Sequence, residues 1–229
     1  MPPLVIAHRG ASAERPENTL AAFRRALALG ADGIELDVHV TRDGVPVVFH
    51  DDTLRRLTGR PGRLADRTWA QLAGLRILGS DEGIPRLRDV LRVTRRRAIV
   101  QIELKAGCRV APVVRAIRAA GASGWVILAS FSAPLVREAA LLAPGVPRML
   151  ISEGRGAPRA LARQLAALGA AGISVGHRAI RDRAWVRHFH ARGFAVWTWT
   201  VNDRAAARRL ARWGVDALLG DNPALLHPA

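Results

Sequence analysis

Lysine is almost missing from this chain of 229 residues: of its 35 basic side chains only Lys105 is a lysine, and all the others are arginine. A sequence that meets nearly every need for positive charge with a planar, forked guanidinium has kept a compact ammonium at one place. That place closes the apolar run Ala98-Ile-Val-Gln-Ile-Glu-Leu-Lys105, two residues after Glu103. Cysteine is as scarce. Cys108 stands alone, which excludes an intramolecular disulfide and a cysteine-rich zinc site, and nothing beside it marks a nucleophile. Tyrosine is absent, and no basic stretch is interleaved with aromatics. No apolar run approaches the roughly 20 residues that span a bilayer. The start, Met1-Pro-Pro-Leu-Val-Ile-Ala7, lacks the basic opening and the length of a signal peptide, so the expected compartment is the cytoplasm.

What is abundant is arginine, giving a formal net charge of +16 at pH 7. Such an excess suits contact with nucleic acid, but the arginines are scattered at helical positions such as Arg24, Arg25, Arg115, Arg118, Arg208 and Arg209. Arg95-Arg96-Arg97 falls where a helix should end, a favourable place for cations. The pattern reads as a compositional bias rather than a binding face. No specific nucleic-acid partner is expected, and the charge is better suited to attracting a small anionic substrate or an anionic surface.

With 49% hydrophobic residues the chain can bury one sizeable core, and one domain over residues 1–229 is expected. Short β-branched runs alternate with longer helical patterns. The strands are expected at Leu4–His8, Gly33–Val40, Val45–His50, Ala98–Lys105, Trp125–Ser130, Val146–Ile151, Gly172–Val175, Phe194–Thr200 and Ala217–Leu219. Helices are expected at Asn18–Leu29, Leu87–Thr94, Arg109–Ala120, Pro134–Leu142, Pro158–Leu168, Arg183–Arg192 and Arg204–Trp213, several closing on glycine. This alternation implies parallel pairing in an α/β fold, a TIM (β/α)8 barrel. A doubly wound sheet would carry a glycine-rich turn after its first strand, and His8-Arg9-Gly10 has a single glycine. Residues 51–85 break the rhythm, too long for an ordinary connection, and read as a small insertion or lid beside the second strand region.

In a strand, side chains two apart share a face. Glu103 and Lys105 are spaced so, and Glu35 and Asp37 repeat the spacing in Gly33-Ile-Glu-Leu-Asp-Val-His-Val40. Three carboxylates and the sole lysine in repeated register mark a metal or catalytic site, because unpaired buried charge is costly. The unusual polar residues, His8, Glu35, Asp37, His50, Glu103, Lys105, Ser130, Trp199 and Asp221, gather at carboxyl ends of candidate strands, where barrel enzymes build their active sites. Three oxygen donors without cysteine suit a hard divalent cation, Mg²⁺, Ca²⁺ or Mn²⁺. His8 and His50 would supply a proton acceptor and donor near neutral pH, and Arg9 suits a phosphate or carboxylate. His177 is a further candidate for substrate contact, whereas His39, His188, His190 and His227 read as surface or helix residues.

At these positions the chain resembles the glycerophosphodiester phosphodiesterase family. The matching stretches are His8-Arg9-Gly10, Arg15-Pro-Glu-Asn-Thr-Leu-Ala-Ala-Phe23, Glu35-Leu-Asp-Val38, Val47-Val-Phe-His-Asp-Asp-Thr-Leu54, Ile84-Pro-Arg-Leu87, Ile102-Glu-Leu-Lys105, Ser130-Phe131 and Trp197-Thr-Trp-Thr-Val-Asn202. The resemblance implies a TIM barrel that hydrolyses a glycerophosphodiester to sn-glycerol 3-phosphate and an alcohol with one divalent cation, Mg²⁺ or Ca²⁺, with Mn²⁺ also suitable. It places the metal ligands on Glu35, Asp37 and Glu103, the catalytic histidines on His8 and His50, phosphate contacts on Arg9 and Lys105, and a substrate-wall aromatic on Trp199. The family often has a threonine before the final Asp-x-Pro; Gly220-Asp-Asn-Pro223 lacks it, which puts a supporting hydroxyl in question. The insertion is short for the family, implying a more open site. The rival readings are a lysophospholipase D or phospholipase C type enzyme on lipid substrates and, in another class, a non-catalytic basic barrel that binds nucleic acid.

Overall fold

The computed structural model describes residues 1–227, so the last two residues of the expected 1–229 domain lie outside the described residues. All nine expected strands form: β1 (Leu4–Ala7), β2 (Gly33–Val40), β3 (Pro46–Val48), β4 (Ile99–Leu104), β5 (Val126–Ser130), β6 (Arg148–Ser152), β7 (Gly172–Gly176), β8 (Ala195–Trp199) and β9 (Ala217–Gly220). All but β3 pair in parallel around a ring, and β9 returns to β1, which also pairs with β2. The result is a closed (β/α)8 barrel, the architecture the strand and helix rhythm implies.

The helices are α1 (Leu20–Ala28), α2 (Arg55–Thr58), α3 (Trp69–Leu72), α4 (Leu87–Thr94), α5 (Val110–Ala119), α6 (Ala133–Leu142), α7 (Pro158–Leu168), α8 (Arg183–His190) and α9 (Arg204–Trp213). Ile6, Ala129, Met149, Ile151, Trp197, Ala217 and Leu219 pack together as one buried cluster along the strands. Two larger clusters join strand and helix residues, one around Phe23, Leu36, Leu91 and Val113 and the other around Leu165, Val186, Phe189 and Leu210. None of the helices is long and apolar enough to cross a membrane, among the described residues.

Two local departures have physical causes. The Val45–His50 strand shortens to β3 and runs antiparallel to β2, with Val38 opposite Val48. Only a tight turn separates the two strands, closed by the Thr41 amide on the Val45 carbonyl at 3.0 Å, and so short a link cannot make a parallel crossover. Helix α1 begins at Leu20 rather than Asn18, because Thr19 is its cap, accepting from the Ala22 amide at 3.1 Å. Asn18 is left in the left-handed region at φ 59°, which turns its side chain elsewhere.

Residues 51–85 hold α2, α3 and a one-turn 3-10 helix, and their Leu54, Leu64, Leu72, Ile77 and Ile84 are buried in a cluster with Val47 of β3 and Phe49. The segment is tied to the barrel beside α1, where Glu82 accepts from the Ala21 amide at 3.2 Å.

Candidate active site

Strand register delivers the carboxylates to one place. Ala7, the last residue of β1, pairs with Ile34, so Glu35 lies level with the loop that starts at His8; one step along, Asp37 pairs with Glu103 of β4. Ligand oxygens of Glu35, Asp37 and Glu103 all lie within 4.8 Å of one another, and Glu35 and Asp37 are buried. Lys105 reaches back over the pair, donating from Nζ to Glu103 Oε1 at 2.8 Å and Asp37 Oδ1 at 3.2 Å. The spacing of two in each strand therefore does bring all four groups together.

The loop after β1 wraps the same cluster. Arg9 stands at φ 55°, and its backbone amide donates to Glu35 Oε2 at 3.0 Å. Its guanidinium donates to Glu17 from a terminal nitrogen at 3.1 Å, and its buried Nε is ion-paired with Asp37 Oδ2 at 3.3 Å without hydrogen-bond alignment. Gly10 follows at φ 82°, where a Cβ would come within 2.7 Å of the Ala22 backbone, so the turn admits no side chain. Asn18 uses its left-handed backbone to donate from Nδ2 to Asp37 Oδ2 at 2.8 Å.

Both expected histidines have one ring nitrogen fixed by a carboxylate. His8 donates from Nδ1 to Asp221 Oδ1 at 2.8 Å, and its Nε2 lies 4.0 Å from Glu35 Oε2. His50 donates from Nδ1 to Asp51 Oδ1 at 2.7 Å. In each case the carboxylate selects the tautomer with Nε2 free to exchange a proton. Asp221 is itself anchored by Asn202 at 2.5 Å and by the Ser12 hydroxyl at 3.1 Å. Ser12 thus supplies a hydroxyl beside Asp221.

The electrostatics are unbalanced within the cluster. Burial, then the charge of Asp37, pushes Glu35 up to about 8, and the same two causes raise Glu103. Burial also opposes ionisation of Asp37, but Lys105, Arg9 and the Asn18 hydrogen bond together outweigh it and hold this carboxyl below its usual range. His8 is pulled down by burial, yet the Asp221 hydrogen bond and the Glu35 charge prevail and raise it overall. Two cations, Lys105 and Arg9, face three carboxylates, and the surplus falls on Glu35. An all-oxygen donor set with excess negative charge fits a hard divalent cation, and this triad could hold one.

His8, Arg9, Glu35, His50, Gln101, Glu103, Lys105 and Trp199 line one cavity of about 170 Å³, together with Phe131, Ile151, Glu153 and Ser174. The expected catalytic histidines His8 and His50 and the expected substrate contacts Arg9, Lys105 and Trp199 are all there, and Asp37 lies behind them beneath Lys105. Trp199 packs edge-on against Phe131 with ring centroids 5.8 Å apart, and its buried Nε1 has no partner. His177 does not line the cavity. Ser130 is spent on structure, donating to the Leu104 carbonyl at 2.7 Å. His39 corrects an expectation: it is no surface residue but is buried in β2, its Nε2 donating to the His50 carbonyl at 3.2 Å. The sequence reading placed Asp221 at the rim without giving it a partner, and passed over Asp51, Glu17, Asn18 and Arg56 as partners of site residues. Asp51 could have been found from its adjacency to His50; Asp221, 213 residues from His8, is brought to it by closure of the barrel.

A parallel barrel whose strand ends gather three carboxylates, a lysine, an arginine and two carboxylate-oriented histidines belongs among enzymes acting on phosphate esters. The pattern of the glycerophosphoryl diester phosphodiesterase family matches residues 8–225. A glycerophosphodiester phosphodiesterase of Caldanaerobacter subterraneus subsp. tengcongensis is 32% identical, over 99% of this chain and 97% of that protein. The crystal structure of a glycerophosphodiester phosphodiesterase from Agrobacterium tumefaciens superposes with a TM-score of 0.88 at 31% identity, covering 98% of both chains. An Oleispira antarctica phosphodiesterase, solved in complex with the product sn-glycerol-3-phosphate, gives the same TM-score at 29% identity over 98% of this chain and 95% of that one. The chain belongs to the glycerophosphoryl diester phosphodiesterase family and is a phosphoric diester hydrolase.

Proposed function

We propose that this enzyme hydrolyses glycerophosphodiesters to sn-glycerol 3-phosphate and an alcohol, with one divalent cation, Mg²⁺ or Ca²⁺ with Mn²⁺ as a substitute, held by Glu35, Asp37 and Glu103. The observation that carries this reading is the buried carboxylate triad beside two histidines whose Nδ1 atoms are already committed. The Oleispira relative's product complex supports the choice of glycerol phosphate as the retained half. When bound, the cation supplies Lewis-acid stabilisation of a phosphoryl group and lowers the pKa of the attacking hydroxyl.

The chain's own residues do the rest. Arg9, whose guanidinium lies against Glu17 and Asp37 at the cavity wall, and Lys105 bind phosphate oxygens and offset the charge that develops there. His8 and His50 move protons at Nε2. His8, whose Nδ1 is held by a carboxylate that also accepts from Ser12 and Asn202, is assigned as donor to the leaving alcohol, and His50 as acceptor for the attacking hydroxyl. Trp199 and Phe131 wall the cavity and limit water at one side. We read residues 51–85 as an insertion within one domain, flanking the mouth. The charged lining of the cavity by His8, Arg9, Glu35, His50, Glu103 and Lys105 suits a small polar diester. The test is hydrolysis of glycerophosphocholine against lysophosphatidylcholine by metal-loaded and chelated protein. Faster turnover of the lysolipid, or activity that survives complete chelation, would overturn the substrate or the metal respectively.

A further inference from the structure

We propose that Arg56, in the insertion helix α2, is a positioning residue that sets the geometry of both His50 and Arg9 through the two carboxylates between them. The proposal rests on the roles given above to those two residues.

One guanidinium makes four bonds here. Nε and one terminal nitrogen hold both oxygens of Asp51 at 2.6 and 2.8 Å, and the two terminal nitrogens hold both oxygens of Glu17 at 3.0 and 2.8 Å. Each carboxylate has its other commitment in the site. Asp51 Oδ1 accepts from His50 Nδ1 at 2.7 Å, and Glu17 Oε1 accepts from Arg9 at 3.1 Å. Arg56 therefore fixes the acceptor of one proposed catalytic imidazole and the acceptor of one proposed phosphate-binding guanidinium in a single rigid plane. Double bidentate geometry needs a planar fork; an ammonium carries three N–H donors on one atom and cannot hold both oxygens of both carboxylates at once.

The burial pattern separates this role from a structural one. The Arg56 side chain is 47% exposed, and ion pairs at such sites contribute little to stability. Another insertion pair, Arg63 with Asp52 at 3.9 Å, is more exposed and has no hydrogen-bonded link to the site. Four well-formed bonds around a half-exposed arginine matter chiefly for where their other ends are held. Displacement of a reacting group by about 1 Å can cost on the order of 10² in rate.

The test compares Arg56→Met, Arg56→Lys, Asp51→Asn, Glu17→Gln, the control Arg63→Met and the reference His50→Ala, each by kcat, KM and melting temperature with glycerophosphocholine and saturating metal. We expect Arg56→Met to lower kcat and raise KM together, about 10- to 100-fold in kcat/KM, with Tm kept within about 4 °C. Asp51→Asn should act mainly on kcat and Glu17→Gln mainly on KM, Arg56→Lys should not restore activity, and Arg63→Met should match wild type. Near-wild-type kcat/KM in Arg56→Met or Arg56→Lys overturns the proposal. So does a loss that tracks a fall in Tm and disappears on cooling, since that is a folding defect. Full activity in His50→Ala would instead remove the site reading beneath it, an outcome distinct from an inactive His50→Ala beside an active Arg56→Met.

Discussion

The barrel mouth has two unlike arcs. From β9 through β1 and β2 to β4 it presents Asp221, His8, Arg9, Glu35, Asp37, Glu103 and Lys105, nearly all joined by hydrogen bonds of 2.8 to 3.2 Å. From β5 to β8 it presents mostly Phe131, Ile151, Ser174 and Trp199, where Phe131 is 49% exposed and the Trp199 indole N–H is buried without a partner. The first arc is over-determined: Asp37 is held by Lys105, Asn18 and Arg9, and Asp221 by His8, Ser12 and Asn202. The second is a surface. Charge that must stay fixed while a phosphoryl group reacts is worth preorganising, because that organisation lowers the barrier directly; a wall that meets a departing alcohol gains less from it.

The comparison is broken hardest by neutralising the charged arc. Glu35→Ala, Asp37→Ala and Glu103→Ala should each lower kcat by on the order of 10³ or more, beyond the loss of one preorganised donor. Glu35 adds a pH signature. Its folded-state value of about 8 against an ordinary 4.5 means the metal-free fold binds the proton more tightly than the unfolded chain does. The resulting stability is fully present below about pH 4.5 and is lost as pH rises through 8. Thermal unfolding of chelated protein should show this fall, and Glu35→Gln should flatten it. Metal should bind more tightly as pH rises over the same window, with proton release visible by calorimetry in buffers of different ionisation enthalpy. A wild-type apo stability that stays flat from pH 5 to about 8 would contradict the electrostatic imbalance.

His8→Ala and His50→Ala should each cost about 10²–10⁴ in kcat. A substrate with a good leaving group should rescue His8→Ala and not His50→Ala, and the alkaline limb of the pH profile should disappear with His8. Rescue of His50→Ala alone would exchange the two roles.

How much of this arc was legible beforehand follows from its construction. Period-two spacing exposed Glu35 with Asp37 and Glu103 with Lys105, and strand alternation placed them at one end of a barrel; these are local signals. The carboxylates behind the histidines were hidden for a different reason. Asp221 meets His8 because β9 returns to β1, and Arg56 meets Glu17 because the insertion folds against the loop before α1; both are non-local consequences of closure. His39 was misplaced because β2 runs past the barrel to pair with β3, burying a residue that alternation alone would leave at a rim. The antiparallel β3 was missed as such because the turn at Thr41 looks like any other loop until its length is set against a crossover.

A smaller effect sharpens the contrast within the charged arc. Lys105 Nζ sits 2.8 Å from Glu103 and 3.2 Å from Asp37, in a side chain only 16% exposed. Lys105→Arg keeps the charge, but the larger fork cannot occupy one point between two carboxylates. It should lose about 10- to 100-fold in kcat/KM while Tm changes little. Near-wild-type catalysis would show that the arc needs positive charge there and not an ammonium.

The smallest effect is expected on the other arc. Trp199→Phe keeps an aromatic wall against Phe131 and deletes the orphan indole N–H. If the N–H is satisfied by substrate, KM should rise by about fivefold, the worth of one ordinary hydrogen bond, with kcat unchanged because the charged arc is untouched. If it is satisfied by nothing, Phe removes a buried unpaired donor, and the variant should be at least as stable as wild type with unaltered KM. Measuring KM and Tm together decides between the two. A fall in kcat comparable with that of His8→Ala would show that the aromatic side shares in organising the reaction, and the division between the two arcs would then have to be given up.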